Sequence, residues 1–234
     1  MSKECIDLHW FRLEPAGAND GADASLLGKE ERAELDELEN QQAAMSFVTR
    51  RAFRRRVLGD RLATAPQDLR FATNAAGKPA LGPPHHGLHF NASHGRLGGV
   101  VAISDVSDIG VDIEFIRPVD ERAFAAKIMS PQEKLSHQAL DEAARLDSLF
   151  AVWTAKEALI KAMGIGLNLN LLPQMSIEQQ ADATGWTAAK LAEPLRDQGR
   201  WQIWTKRFDD MFAEPAIVSI AAQSACNVAV HKAD

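Results

Sequence analysis

The chain has 234 residues, room for one large domain or two of about 100 to 120 residues each. Apolar residues make up 46% of it and charged residues 25%, which excludes disorder and collagen-like repeats for the bulk of the chain. A formal net charge of −6 argues against nucleic-acid binding through global positive charge, and two cysteines, Cys5 and Cys226, exclude a disulfide scaffold or a four-cysteine zinc site and point to a reducing cytoplasm.

Residues 5–13 alternate apolar and polar and read as a strand. The beginning of the chain carries Lys3, Glu4 and Asp7 with no apolar signal core, so secretion is not expected. Residues 15–24, rich in Ala, Gly, Asn and Asp, read as a loop. Residues 28–62 look helical throughout, with segregated charge. Lys29 and Arg32 face six acids within 29–39, whereas six arginines face Asp60 alone within 50–61. A helix over about 42–62 brings Phe47, Arg50, Arg51 and Arg54 near one another. The stretch 64–84 is rich in Pro and Gly, with a short strand at 69–73.

The runs 98–104 and 108–116 read as buried strands. Residues 121–128 and 131–145 look helical. Residues 146–163 carry the strongest helical pattern and stop at Gly164 and Gly166. Segments 175–180, 201–208 and 216–223 read as strands of a meander. No run reaches the roughly 18 apolar residues that a membrane helix needs. The fold class expected is α+β: two similar halves, 1–106 and 107–234, each a long helix packed on a small antiparallel sheet.

Residues suited to chemistry fall in several groups. On a strand, Asp112 and Glu114 share one face, opposite Ile109, Val111, Ile113 and Phe115. Two carboxylates side by side suit a cation or a hard divalent ion, or else form a solvated acidic edge; spacing alone leaves both open. On a helix, Trp153, Glu157 and Lys161 share a face, where Glu157 and Lys161 are either a surface ion pair or a metal ligand with a phosphate clamp. Asn91-Ala92-Ser93-His94 lacks the Gly-x-Ser-x-Gly of a nucleophile elbow, so a Ser–His hydrolase is disfavoured; both side chains are phosphate donors or turn residues. Lys78 follows Gly77 and precedes Pro79, which aim it in a fixed direction, toward a ligand or simply into solvent. The arginines at 50–56 form a phosphate-binding face or a solvated one paired with the preceding acids; a nucleic-acid patch is disfavoured by few interleaved aromatics and an acidic chain. His85, His86, His89 and His94 cluster in a Pro- and Gly-rich stretch that suits a loop better than a zinc site.

Together these residues resemble the 4′-phosphopantetheinyl transferases. Gly110-Val111-Asp112-Ile113-Glu114 followed by Trp153-x-x-Lys156-Glu157-x-x-x-Lys161-x-x-Gly164 looks like that family's signature. Gly77-Lys78-Pro79 and Phe90-Asn91-x-Ser93-His94 match its larger, surfactin-synthetase-activating (Sfp-type) subfamily. The resemblance runs from about residue 45 to 167, and more loosely over the whole chain. It implies a cytoplasmic monomer of two pseudo-twofold halves with coenzyme A between them. It implies transfer of 4′-phosphopantetheine from coenzyme A to a serine of an apo acyl or peptidyl carrier protein, releasing adenosine 3′,5′-bisphosphate, with no nucleic-acid or membrane partner.

Carried over, Asp112, Glu114 and Glu157 would hold Mg2+ or Mn2+. Glu157, or a metal-bound water, would take the serine proton, Lys161 would stabilise the phosphates, and Arg51, Lys78, Ser93 and His94 would hold coenzyme A together with Asp112 and Lys161. Two positions depart from the family pattern: Ser46 stands where a basic residue is common, and Gly95 where a second Ser is common. Two further readings are a non-catalytic binding module of the same fold and another metal-dependent phosphoryl transferase acting on a nucleotide.

Overall fold

The computed structural model of the chain describes residues 5–13, 23–181, 187–191, 201–223 and 227–232. The loop expected over 15–24 lies outside these residues except for its last two positions. β1 (Cys5–Arg12) is followed by α1 (Lys29–Asp36) and α2 (Gln41–Leu62). The continuous helix expected over 28–62 is thus two, because the Asn40 carboxamide accepts the Ala43 N–H at 2.9 Å and starts α2 afresh. β2 (Phe71–Thr73) and β3 (Pro79–Leu81) form a small hairpin, followed by β4 (His89–Gly95), β5 (Gly98–Ser104) and β6 (Ile109–Phe115). Of the clustered histidines, His85 and His86 fall in a turn, whereas His89 and His94 are on β4.

α3 (Glu121–Ile128), α4 (Pro131–Gln138) and α5 (Glu142–Met163) come next. The helix expected over 131–145 divides at 139–141, where the Asp141 carboxylate caps Ala144 N–H at 2.9 Å and begins α5. Gly164, at φ 65°, closes α5 in the left-handed conformation that its lack of a Cβ permits. β7 (Ile177–Ala181), β8 (Thr187–Leu191), β9 (Gln202–Phe208), β10 (Ala216–Ala222) and β11 (Asn227–Lys232) complete the described chain.

The strands form two principal sheets, ordered β11-β1-β5-β4 and β6-β10-β9-β8-β7. The β1–β11 pair is parallel and returns the end of the chain to the first sheet; the other pairs of both sheets are antiparallel. The sheets pack face to face through Ile6, Leu8 and Val100 on one side and Val111, Ile113 and Val218 on the other. α2 covers the outer face of the first sheet through Phe53, Val57 and Leu58, and α5 that of the second through Leu149, Val152 and Leu159. The chain is therefore an α+β layer structure with a 22-residue helix on each side. Each such large apolar side chain buried contributes about 1.5–3 kcal/mol. Among the described residues, no helix is long and apolar enough to cross a membrane.

Candidate active site

The two-residue period of β6 sends Ile109, Val111, Ile113 and Phe115 into the core between the sheets. Gly110, Asp112 and Glu114 are left to face α5. A Cβ at Gly110 would lie 2.0 Å from the Ala158 carbonyl oxygen and 2.3 Å from Ala162 N. Strand and helix backbones therefore approach as closely as glycine allows. Two residues along, Lys161 Nζ donates to Asp112 Oδ1 at 2.6 Å; two residues further, Trp153 Nε1 donates to Glu114 Oε1 at 3.0 Å. The helix face of Trp153, Glu157 and Lys161 expected from spacing is the face that meets these carboxylates.

β4 and β6 are edge strands of different sheets, stitched where Asn91 Oδ1 accepts the Val111 N–H at 2.9 Å. That register brings Ser93 beside Asp112: Ser93 Oγ donates to Asp112 Oδ1 at 2.8 Å and lies 2.9 Å from Lys161 Nζ. His94, the next residue, points to the opposite face of the strand and meets Arg50 of α2. The buried Asp112 Oδ2 has no hydrogen-bond partner.

The electrostatics divide the site in two. Burial pushes the Asp112 carboxyl up, the neighbouring Glu114 adds to the effect, and Lys161 and Ser93 oppose it. Burial and the Asp112 charge push Glu157 up to about 7. This end is short of positive charge. Although His94 remains on the surface, partial burial of its ring and the charges of Arg50, Lys161 and Arg51 push it down to about 4. Burial and Arg51 lower Arg50. That end is short of negative charge. The arrangement suits a ligand that carries anionic groups and a cation together.

Glu114 is bracketed by donors. Arg117 Nη1 lies 2.8 Å from its Oε2, opposite the Trp153 indole on Oε1. Among the described residues, no three His, Cys, Asp or Glu side chains are gathered closely enough to hold a metal ion. The donor chemistry nevertheless fits a hard divalent ion: Asp112 Oδ2 is buried without a partner, and the Glu157 carboxyl feels the charges of both Asp112 and Glu114.

The structure brings Asp112, Ser93, Lys161 and Glu157 together, with His94 at their edge and Glu114 beside them. Arg51 and Lys78 are tied to other groups. Arg51 lies 3.6 Å from Glu31 and 3.5 Å from Glu34, both on α1. Lys78 Nζ donates to the Ala162 carbonyl at 3.0 Å and lies 3.5 Å from Asp108, at the end of α5. It lines a cavity of about 460 Å³ with Pro79, His89, Phe90 and Met163. Arg50, rather than Arg51, touches His94; the two point in different directions round the helix, so only the rotation of α2 distinguishes them. Lys156 is fully buried, donating to Glu133 at 2.6 Å and to the carbonyls of Ile128 and Leu172 at 2.7 and 2.8 Å. Its place beside Glu157 in the sequence gave no sign of that burial.

A profile described as ACPS, 4′-phosphopantetheinyl transferase superfamily, matches residues 108–219. The Synechocystis sp. protein slr0495, provisionally named a 4′-phosphopantetheinyl transferase, is 30% identical over 187 residues, covering 75% of each chain. The 4′-phosphopantetheinyl transferase HetI of Nostoc sp. is 31% identical over 147 residues, 62% of each chain. The 4′-phosphopantetheinyl transferase Sfp of Bacillus subtilis is 32% identical over 143 residues, 57% of this chain and 62% of that one.

Proposed function

Because the chain belongs to the 4′-phosphopantetheinyl transferase superfamily, we propose that it moves the 4′-phosphopantetheine group of coenzyme A onto a serine of an apo acyl or peptidyl carrier protein. Adenosine 3′,5′-bisphosphate is the other product. The observation that carries this reading is the buried junction of Ser93, Asp112 and Lys161, where a carboxylate with one unpartnered oxygen stands beside a lysine and a serine hydroxyl.

Asp112, Glu114 and Glu157 would hold Mg2+ or Mn2+, which when bound supplies charge neutralisation and Lewis acidity at the pyrophosphate. The remaining work belongs to the chain's own groups. Lys161 holds the phosphates and stabilises charge developing on them. Ser93 and neutral His94 offer hydrogen bonds to phosphate oxygens, and Arg50 adds a cation at the same edge. Glu157 takes the proton of the carrier serine. The cavity beside Lys78 supports a nucleotide end for the substrate, being of the size that small ligands occupy. Arg51, tied to α1, is left to the outer edge of the basic face.

With the division after residue 106, Arg50, Ser93 and His94 come from one half and Asp112, Glu114, Glu157 and Lys161 from the other. All of these groups lie within one chain, so no second copy is needed to complete the proposed site. The scarcity of cysteine supports a cytoplasmic home.

A thermal-shift series tests the substrate class. Coenzyme A with Mg2+ should raise the melting temperature, and ATP and NAD should not. An equal shift from all three would favour a general nucleotide site and remove the coenzyme A assignment.

A further inference from the structure

Glu114 differs from the other two carboxylates of the site in how it is held. The Asp112 side chain is 7% exposed and Glu157 is buried, whereas the Glu114 side chain is 24% exposed and both its oxygens accept from donors. The two donors are unequal. Trp153 is fixed on α5, with its ring against Phe124 at 5.4 Å. The Arg117 side chain is 48% exposed and makes two contacts besides Glu114: its Nη1 lies 3.1 Å from the Phe115 carbonyl, and its guanidinium sits 5.3 Å from the Phe150 ring centroid. An exposed ion pair of this kind is weak and exchanges readily with solvent.

We propose that Arg117 competes with the divalent ion for Glu114. It is a positioning residue that holds this carboxylate at the rim through Oε2 and releases it when the ion draws Glu114 toward Asp112 and Glu157. Trp153 stays on Oε1 throughout and keeps the carboxylate oriented. The pair thereby sets the ion affinity of the site below what three free carboxylates would give. The inference rests on the reading of Asp112, Glu114 and Glu157 as ion ligands.

Mn2+ binding to the full chain, followed by electron paramagnetic resonance or calorimetry without coenzyme A or carrier protein, tests both layers. The wild type should bind Mn2+, and Glu157→Ala should weaken that binding. Arg117→Gln should bind about two- to fivefold more tightly, the range released by an exposed ion pair. In a Glu114→Gln background the same Arg117→Gln change should have no effect, because the arginine then has no carboxylate to hold. Unchanged or weaker binding by Arg117→Gln would overturn the proposal. An equal gain in the Glu114→Gln background would also overturn it, since the arginine would then act only as a general positive charge. A wild type that binds no Mn2+ would instead overturn the ligand reading and this inference with it.

Discussion

Asp112 and Lys161 meet at 2.6 Å through Asp112 Oδ1, while Asp112 Oδ2 is buried without a partner. The lysine thus offsets part of the cost of burying the carboxylate and leaves one oxygen open toward a further positive group. Lys161→Met should lower kcat about 10²- to 10³-fold, the loss expected when one donor to developing phosphate charge is removed. Steady-state kinetics with a carrier protein checks this. A variant that keeps its kcat and loses only coenzyme A affinity would confine Lys161 to ground-state binding.

Gly110 sets the distance between β6 and α5. Because a Cβ there would meet backbone atoms of Ala158 and Ala162, Gly110→Ala must push strand and helix apart. The expected cost is about 1–3 kcal/mol, read as a lower urea midpoint. An unchanged midpoint would show that the helix can slide at no cost.

Glu31 ties α1 to α2. Its carboxylate accepts from Arg54 at 2.6 Å, from Arg55, and from the Gly28 N–H at 3.2 Å. Burial pushes its pKa up, but the Arg55 hydrogen bond and the charges of Arg54 and Arg55 outweigh this and hold it below the ordinary value. The stabilisation is therefore full above the unfolded pKa, about 4.3, and is lost as pH falls through the lower folded value. Glu31→Gln should flatten the acid side of the stability profile. It should cost about 3–5 kcal/mol at pH 7, since buried Arg54 and Arg55 lose their counter-ion. Urea midpoints measured from pH 7 to 3 decide it; parallel profiles for the two proteins would contradict the assignment.

Lys156 and Glu133 form a second buried pair, in which Glu133 also accepts the Ser130 and Ile177 N–H groups at 2.7 and 2.9 Å. Lys156→Met should cost about 3–5 kcal/mol, and adding Glu133→Gln should recover part of it. Additive losses in the double variant would mean that the two residues act independently.

His94 should stay neutral until about pH 4 in the wild type, because its ring is partly buried and sits among Arg50, Lys161 and Arg51. Arg50→Ala removes one of those cations, so the imidazole should titrate at higher pH, nearer its ordinary value. A proton-resonance titration of the ring reads this directly; an unmoved titration would separate Arg50 from His94 in solution.

The alternation of 108–116 and the helical spacing of Trp153, Glu157 and Lys161 were legible because each is local: one strand period and one helix period place the side chains. The opposition of those two faces, fixed by Gly110 against Ala158 and Ala162, is a tertiary contact that neither period carries. Ser93 was readable as a donor beside His94, yet its partner depends on Asn91 stitching edge strands of two sheets. Arg50 and Arg51 are indistinguishable until α1 claims Arg51 through Glu31 and Glu34. β11 pairs with β1 from the far end of the chain, in parallel, which no local pattern announces.

The intact mass of an apo carrier protein after incubation with this protein, coenzyme A and Mg2+ tests phosphopantetheinyl transfer most directly. A gain of one phosphopantetheine is expected, abolished by EDTA and by Glu157→Ala or Asp112→Ala in folded protein. No gain across fatty-acid, polyketide and peptidyl carriers, with coenzyme A still bound, would contradict transfer and leave a carrier- or coenzyme-binding module.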